Sequence, residues 1–160
     1  MKKVMMVVLI VVLLFGVCMA EDYDEYEGCD VYYVVCNPMS CVNLRTKASR
    51  GSGVIAWLPF GLEVRVDKET KGFCHLVGLI GEETSGWVSK KFLDIWEPMD
   101  DVEGMYRVIS DGRLAVRNGI NGKVKEWLKP GEEIKVLAMT AKWAIVDDGF
   151  VKAEYLEEIE

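Results

Sequence analysis

The chain has 160 residues and a formal net charge of −7, with 19 basic and 26 acidic residues. A surface this acidic excludes nucleic acid as a natural partner, because phosphate binding needs a basic face. With a single histidine, His75, and no Gly-rich phosphate loop, serine elbow or metal-ligand set, the sequence also argues against an enzyme and against any cofactor or metal.

Lys2 and Lys3 open the chain, Val4 to Val17 is an unbroken apolar run, and Gly16, Cys18 and Ala20 supply small residues before Glu21. That layout predicts a signal peptide over residues 1–20, cleaved after Ala20. The run is shorter than the roughly 20 residues that span a bilayer comfortably, so membrane association is expected only if the segment is retained. Val17 also stands where a lipoprotein signal needs Gly, Ala or Ser. Removing Lys2 and Lys3 leaves 17 basic against 26 acidic residues, a formal charge of −9. The expected location is secreted or periplasmic, in the cell envelope.

Residues 21–30 are charged, interrupted by Gly28 and without apolar periodicity, which predicts a flexible acidic leader. Val31 to Val35 is a β-branched and aromatic run, hence a strand. Asn37-Pro38-Met39-Ser40 reads as a turn, and Val42 to Arg45 as a second strand. After a polar Gly/Ser loop, Trp57-Leu58-Pro59-Phe60-Gly61 leads into the alternating strand Leu62, Val64, Val66. Phe73 to Val77 and Gly86 to Ser89 are further strands, and Lys90 to Leu93 a single helical turn.

The same order then returns. Trp127-Leu128-Lys129-Pro130-Gly131-Glu132-Glu133-Ile134-Lys135-Val136 repeats the block that begins at Trp57, seventy residues on. Leu114 to Arg117 answers Val42 to Arg45, Trp143 to Val146 answers Phe73 to Leu76, and Gly149 to Leu156 answers Gly86 to Leu93. Two copies of one β-rich unit follow, over 31–94 and 105–160, with residues 95–104 as linker. Ile95 and Trp96 are expected to pack between them.

Cys29, Cys36, Cys41 and Cys74 all lie before the linker. An even cysteine count in an exported chain predicts disulfides, here Cys36–Cys41 across the turn and Cys29–Cys74 as a long staple. The spacing lacks the paired CxxC of a zinc site.

Strand, Val42-Asn43-Leu44-Arg45, polar loop, Leu58-Pro59-x-Gly61, alternating strand, Gly86-Trp87-Val88 and a closing Leu93 resemble, in that order, the bacterial SH3 domain. Leu114, Val116, Arg117, Leu128, Gly131, Gly149, Val151 and Leu156 carry the resemblance in the second copy, which departs from it at Ala115 and Phe150. The resemblance implies an all-β protein of two tandem, small, partly open β-barrels. It also implies recognition of cell-wall peptide or glycan, with peptidoglycan or another envelope component as partner. The alternative reading is a secreted or periplasmic scaffold, or an inhibitor of a wall-active enzyme, with an exported protein as partner.

Binding is expected to fall on aromatics. Trp57 and Trp127 precede the buried Leu of each block, so period-two alternation turns both toward solvent. The resemblance implies an aromatic-lined groove, giving Tyr33, Trp57, Phe73 and Trp87 in the first unit and Tyr106, Trp127, Trp143 and Tyr155 in the second. Trp87 and Phe150, each within Gly-aromatic-Val, are the ones best explained as core. Cys74 and His75 are neighbours on one strand, so they face opposite sides and cannot share a proton.

Overall fold

The computed structural model describes residues 28–79 and 84–159. The predicted signal peptide and nearly all of the acidic leader lie outside them. The described chain is all β apart from two 3-10 turns, and it forms two antiparallel sheets of seven strands each.

The first sheet contains β1 (Asp30–Val34), β2 (Cys41–Arg45), β3 (Val54–Pro59), β4 (Glu63–Thr70), β5 (Phe73–Leu79), β6 (Thr84–Ser89) and β7 (Leu93–Asp94). The second contains β8 (Gly104–Val108), β9 (Leu114–Arg117), β10 (Val124–Leu128), β11 (Glu133–Met139), β12 (Trp143–Val146), β13 (Gly149–Lys152) and β14 (Leu156–Glu158). The spatial order is β3-β2-β6-β5-β4-β1-β7 in one and β10-β9-β13-β12-β11-β8-β14 in the other. These are one order written twice. Neither sheet closes into a barrel.

The correspondence extends to single residues. Each long strand slips register at the same place, between Val66 and Lys68 in β4 and between Val136 and Ala138 in β11. A bulge of this kind sharpens the local twist and lets a sheet coil over its own core. Gly61 and Gly131 both take φ of +78° at the turn before the long strand, which accounts for the Pro/Gly pattern repeated in the sequence. Each donates its N–H to the end of the first strand, Gly61 to the Val34 carbonyl and Gly131 to the Val108 carbonyl. Gly86 and Gly149 are needed for a different reason. A Cβ there would lie 2.9 Å from the Arg45 carbonyl oxygen and 2.2 Å from that of Arg117, so only glycine lets the two strands approach.

Alternation fills each core. Val42, Leu44, Leu58, Val64, Cys74, Leu76 and Val88 form the first, and Val108, Leu114, Val116, Val136, Ala144 and Val151 the second. A third cluster joins the two units. Val35, Phe60 and Phe92 of the first meet Ala138, Trp143, Ile145 and Phe150 of the second, with the Phe92 and Phe150 rings 6.4 Å apart. Its edge is fixed by polar bonds. Buried Thr140 donates its hydroxyl to Asp94 at 2.9 Å and accepts the Trp143 N–H. The Ile120 N–H reaches the Lys91 carbonyl at 2.7 Å, and the Met99 N–H reaches that of Met139 at 2.8 Å.

Ile95 and Trp96 do not fill this junction. Ile95 is 59% exposed and Trp96 lies at the surface beneath the Lys142 ammonium, because the apolar contact is made by Val35, Phe60 and Phe92 against the outer face of β11–β13.

The four cysteines are free thiols in place of the two expected disulfides. β4 lies between β1 and β5. Two strand spacings of about 4.8 Å therefore separate the chain near Cys29 from Cys74, beyond the roughly 7 Å that a disulfide tolerates between Cα atoms. Cys36 is buried and donates its thiol to the Ser40 carbonyl, whereas Cys41 is exposed at the start of β2. Cys74 is fully buried, and burial, followed by the Glu69 charge, pushes its thiol up to about 11.

Candidate aromatic binding grooves

In both sheets the strand alternation that buries the core turns a second row of side chains outward. Across β10, β9, β13 and β12 that row is Trp127, Ala115, Arg117, Lys152 and Trp143. The 3-10 turn Ala153–Tyr155 adds Tyr155 from one end, and the β8–β9 turn adds Arg113 from the other. Together they line a groove of about 550 Å³. That is a normal size for a small-molecule or peptide site.

Trp143, only 3% exposed, is the floor of this groove and also part of the junction between the units. Trp127, 55% exposed, and Tyr155, 40% exposed, are its walls. The Lys152 ammonium sits 4.8 Å from the Trp143 ring centroid, so cation and aromatic face are presented together. Arg117 donates to the Gly122 carbonyl at 2.9 Å and so ties the loop after β9. Arg45 does the same for the first unit, donating to the Ser52 carbonyl at 2.8 Å. The repeated Arg is thus a loop anchor.

The first unit has the corresponding groove, smaller at about 250 Å³, lined by Asn43, Arg45, Arg50, Phe73, Lys91 and Phe92 among others. Phe73 stands where Trp143 does, and Phe92 where Tyr155 does. Trp57, the counterpart of Trp127, is 71% exposed and lies outside the lining. Burial, reinforced by the nearby Arg50 charge, lowers the Lys91 ammonium pKa. Lys91 also donates to the Asn118 carbonyl of the second unit.

The sequence-derived candidates therefore separate. Trp127, Trp143 and Tyr155 converge on one groove, and Phe73 lies in its counterpart. Tyr106 does not join them: it is buried in the second core, at the register held by Tyr32 in the first. Tyr33 is one residue out of that register, pairs with Glu63 and Asp94, and lines neither groove. Burial and the Glu97 and Glu63 charges raise its phenol pKa. One residue of offset puts a side chain on the other face, which explains both cases.

Trp87 and Phe150 part company. Phe150, 4% exposed, belongs to the junction, whereas Trp87 is half-buried on the uncovered face of the first sheet. There it packs against His75, 4.9 Å between ring centroids, under the Lys68 ammonium. His75 Nδ1 is 2.7 Å from the Asp67 carboxylate, and the Cys74 thiol points into the core on the opposite side. The basic rim formed by Arg113, Arg117 and Lys152 escaped the sequence reading, since three separated cations gain meaning only when the sheet brings them together.

The bacterial SH3 domain family model matches residues 40–94. No curated protein matches the chain. Among solved structures, NlpC2 from Trichomonas vaginalis aligns at 14% identity and a TM-score of 0.36, over 84% of this chain and 50% of that one. NlpC1 from the same organism aligns at 14% identity and a TM-score of 0.37, over 85% and 48%. The chain thus spans about half the length of these two proteins. What the comparisons and the structure show together is that the described residues form two seven-stranded antiparallel sheets and that residues 40–94 match the bacterial SH3 domain.

Proposed function

We propose that the chain is an exported, non-enzymatic binding module of the cell envelope, made of two SH3-like units, that holds a peptidoglycan peptide or glycan in the aromatic groove of the second unit. The observation that carries this reading is the convergence of Trp127, Trp143 and Tyr155 with Arg113 and Lys152 on one groove of about 550 Å³. Flat aromatic faces suit sugar rings and peptide planes, and the cations suit a carboxylate on either. The chain is acidic as a whole, so a local basic rim is what lets a carboxylate-bearing ligand approach. The bacterial SH3 match supports the same reading, because such domains often serve as wall-targeting modules.

The smaller groove of the first unit is a second, weaker site. Two weak sites on one chain gain avidity toward a repeating polymer. Co-sedimentation with purified peptidoglycan tests the proposal. The parent protein is expected in the pellet, and Trp127→Ala, if folded, in the supernatant. A parent that stays in the supernatant with wall material of several chemistries contradicts it.

A further inference from the structure

The junction between the two units is a head-to-tail contact. One end of the first unit (Val35, Phe60, Phe92) sits on one face of the second (Ala138, Trp143, Ile145, Phe150). Because the units share topology and register, each carries both surfaces, and one of each is left over. The free end of the second unit holds Ile109, Pro130 and Tyr155, all exposed, in the places of Val35, Phe60 and Phe92. The free face of the first holds Lys68, Phe73, His75 and Trp87 in the places of Ala138, Trp143, Ile145 and Phe150.

We propose that these two leftover surfaces bind each other between copies, so that the protein associates head to tail with a second copy of itself. A contact between different surfaces that does not close on itself propagates as an open chain. Three features support a second copy as the occupant. The polar bond that fixes the internal junction, Asp94 to Thr140, has a chemically equivalent pair on the free surfaces: Glu157 stands at the register of Asp94, and Thr70 at that of Thr140. Charge is complementary at the edge. Where Lys91 meets the uncharged loop Asn118–Asn121 inside the molecule, the free end offers Glu154 and the matching free loop offers Lys47 and Arg50, all exposed. Aromatic packing is conserved in kind, since the Phe92–Phe150 pair becomes Tyr155 against Trp87.

Lys68 and the His75–Asp67 pair must be partly desolvated in this contact, and Ala138 and Ile145 carry no such cost. The association between copies is therefore weaker than the internal junction, which also has the linker holding its halves at high effective concentration.

Sedimentation equilibrium on the purified protein tests this. The parent is expected to show an average mass that rises with concentration past the dimer. Ile109→Lys spoils only the free end, and Trp87→Ala only the free face, so each alone is expected to remain monomeric. Mixed in equal amounts, the two are expected to form dimers and nothing larger, because each supplies the surface the other lacks. His75→Glu serves as a second free-face variant if the melting curve of Trp87→Ala shows a damaged fold. A parent that is monomeric up to millimolar concentration overturns the proposal, as does association that survives both variants or a mixture that stays monomeric.

Discussion

The strand pair β5–β6 of the first sheet and its counterpart β12–β13 of the second share a register, a glycine and a bulged neighbour strand, yet they meet opposite surroundings. On β12–β13 the outward residues Ile145 and Phe150 are buried beneath the other unit, beside Ala138 from β11. On β5–β6 the same places hold His75 and Trp87, beside Lys68 from β4, and no other described element covers them. The backbone is constant, so the side chains alone distinguish the face covered within the molecule from the one left open. Three differences at matching positions, Ala138 for Lys68, Ile145 for His75 and Phe150 for Trp87, mark the covered face.

The largest expected effect comes from removing the covered ring. Phe150→Ala should cost about 3–5 kcal/mol, the usual loss for a buried Phe, seen as a lowered midpoint in chemical denaturation. Trp87→Ala, at the same position of the other unit, should cost about 1 kcal/mol because Trp87 is only half-buried. Equal costs would mean that the two faces are alike after all. Next in size is ligand binding. Trp127→Ala should weaken binding to wall fragments about tenfold or more, as loss of an aromatic hot spot does, and Trp57→Ala much less, measured by calorimetry. Replacing Arg113 and Lys152 by Gln should weaken binding several-fold and flatten its dependence on salt, since exposed charges act over a screening length of about 8 Å at physiological ionic strength.

The smallest effect concerns pH. In the first unit Glu69 accepts bonds from Lys90 and from the Tyr32 hydroxyl, and its carboxyl is held below the ordinary carboxylate value, mainly by Lys90. A depressed folded-state pKa stabilises the protein above the unfolded carboxylate value and stops doing so as pH falls through the folded one. Because these groups are largely exposed, the contribution is under about 1 kcal/mol. The second unit has Met139 at this register and none of this dependence. Glu69→Gln should therefore flatten the acid side of the stability profile slightly, as followed by thermal melts between neutral and acidic pH.

The repeat was legible because its markers are local. Gly61 and Gly131 at a positive φ, Gly86 and Gly149 under a crossing strand, and the Leu and Val alternation are constraints that each residue meets within its own hairpin. The exposure of Trp57 and Trp127 followed from the same alternation. What the sequence hid was relational. Phe92, Phe60 and Val35 look like ordinary core residues, and only the packed pair of units shows that all three also meet the second unit, Phe60 and Phe92 while still packing on the core of their own. The linker residues Ile95 and Trp96 looked better suited to that place. The Cys29–Cys74 pairing was misjudged for a similar reason: cysteine counting does not see that β4 separates Cys29 from Cys74. The groove lay between these extremes. Its aromatics could be named in advance, but Arg113 comes from the β8–β9 turn and Lys152 from the end of β13, and they join the aromatics only in three dimensions.

The most direct test of the central claim is a nuclear magnetic resonance titration of the labelled protein with soluble peptidoglycan fragments. Shift changes centred on Ala115, the Trp127 and Trp143 indoles, Lys152 and Tyr155, with smaller ones at Asn43 and Phe73, are the predicted result. Saturating changes confined to other surfaces, or none at all, would contradict the assignment of the groove as the binding site.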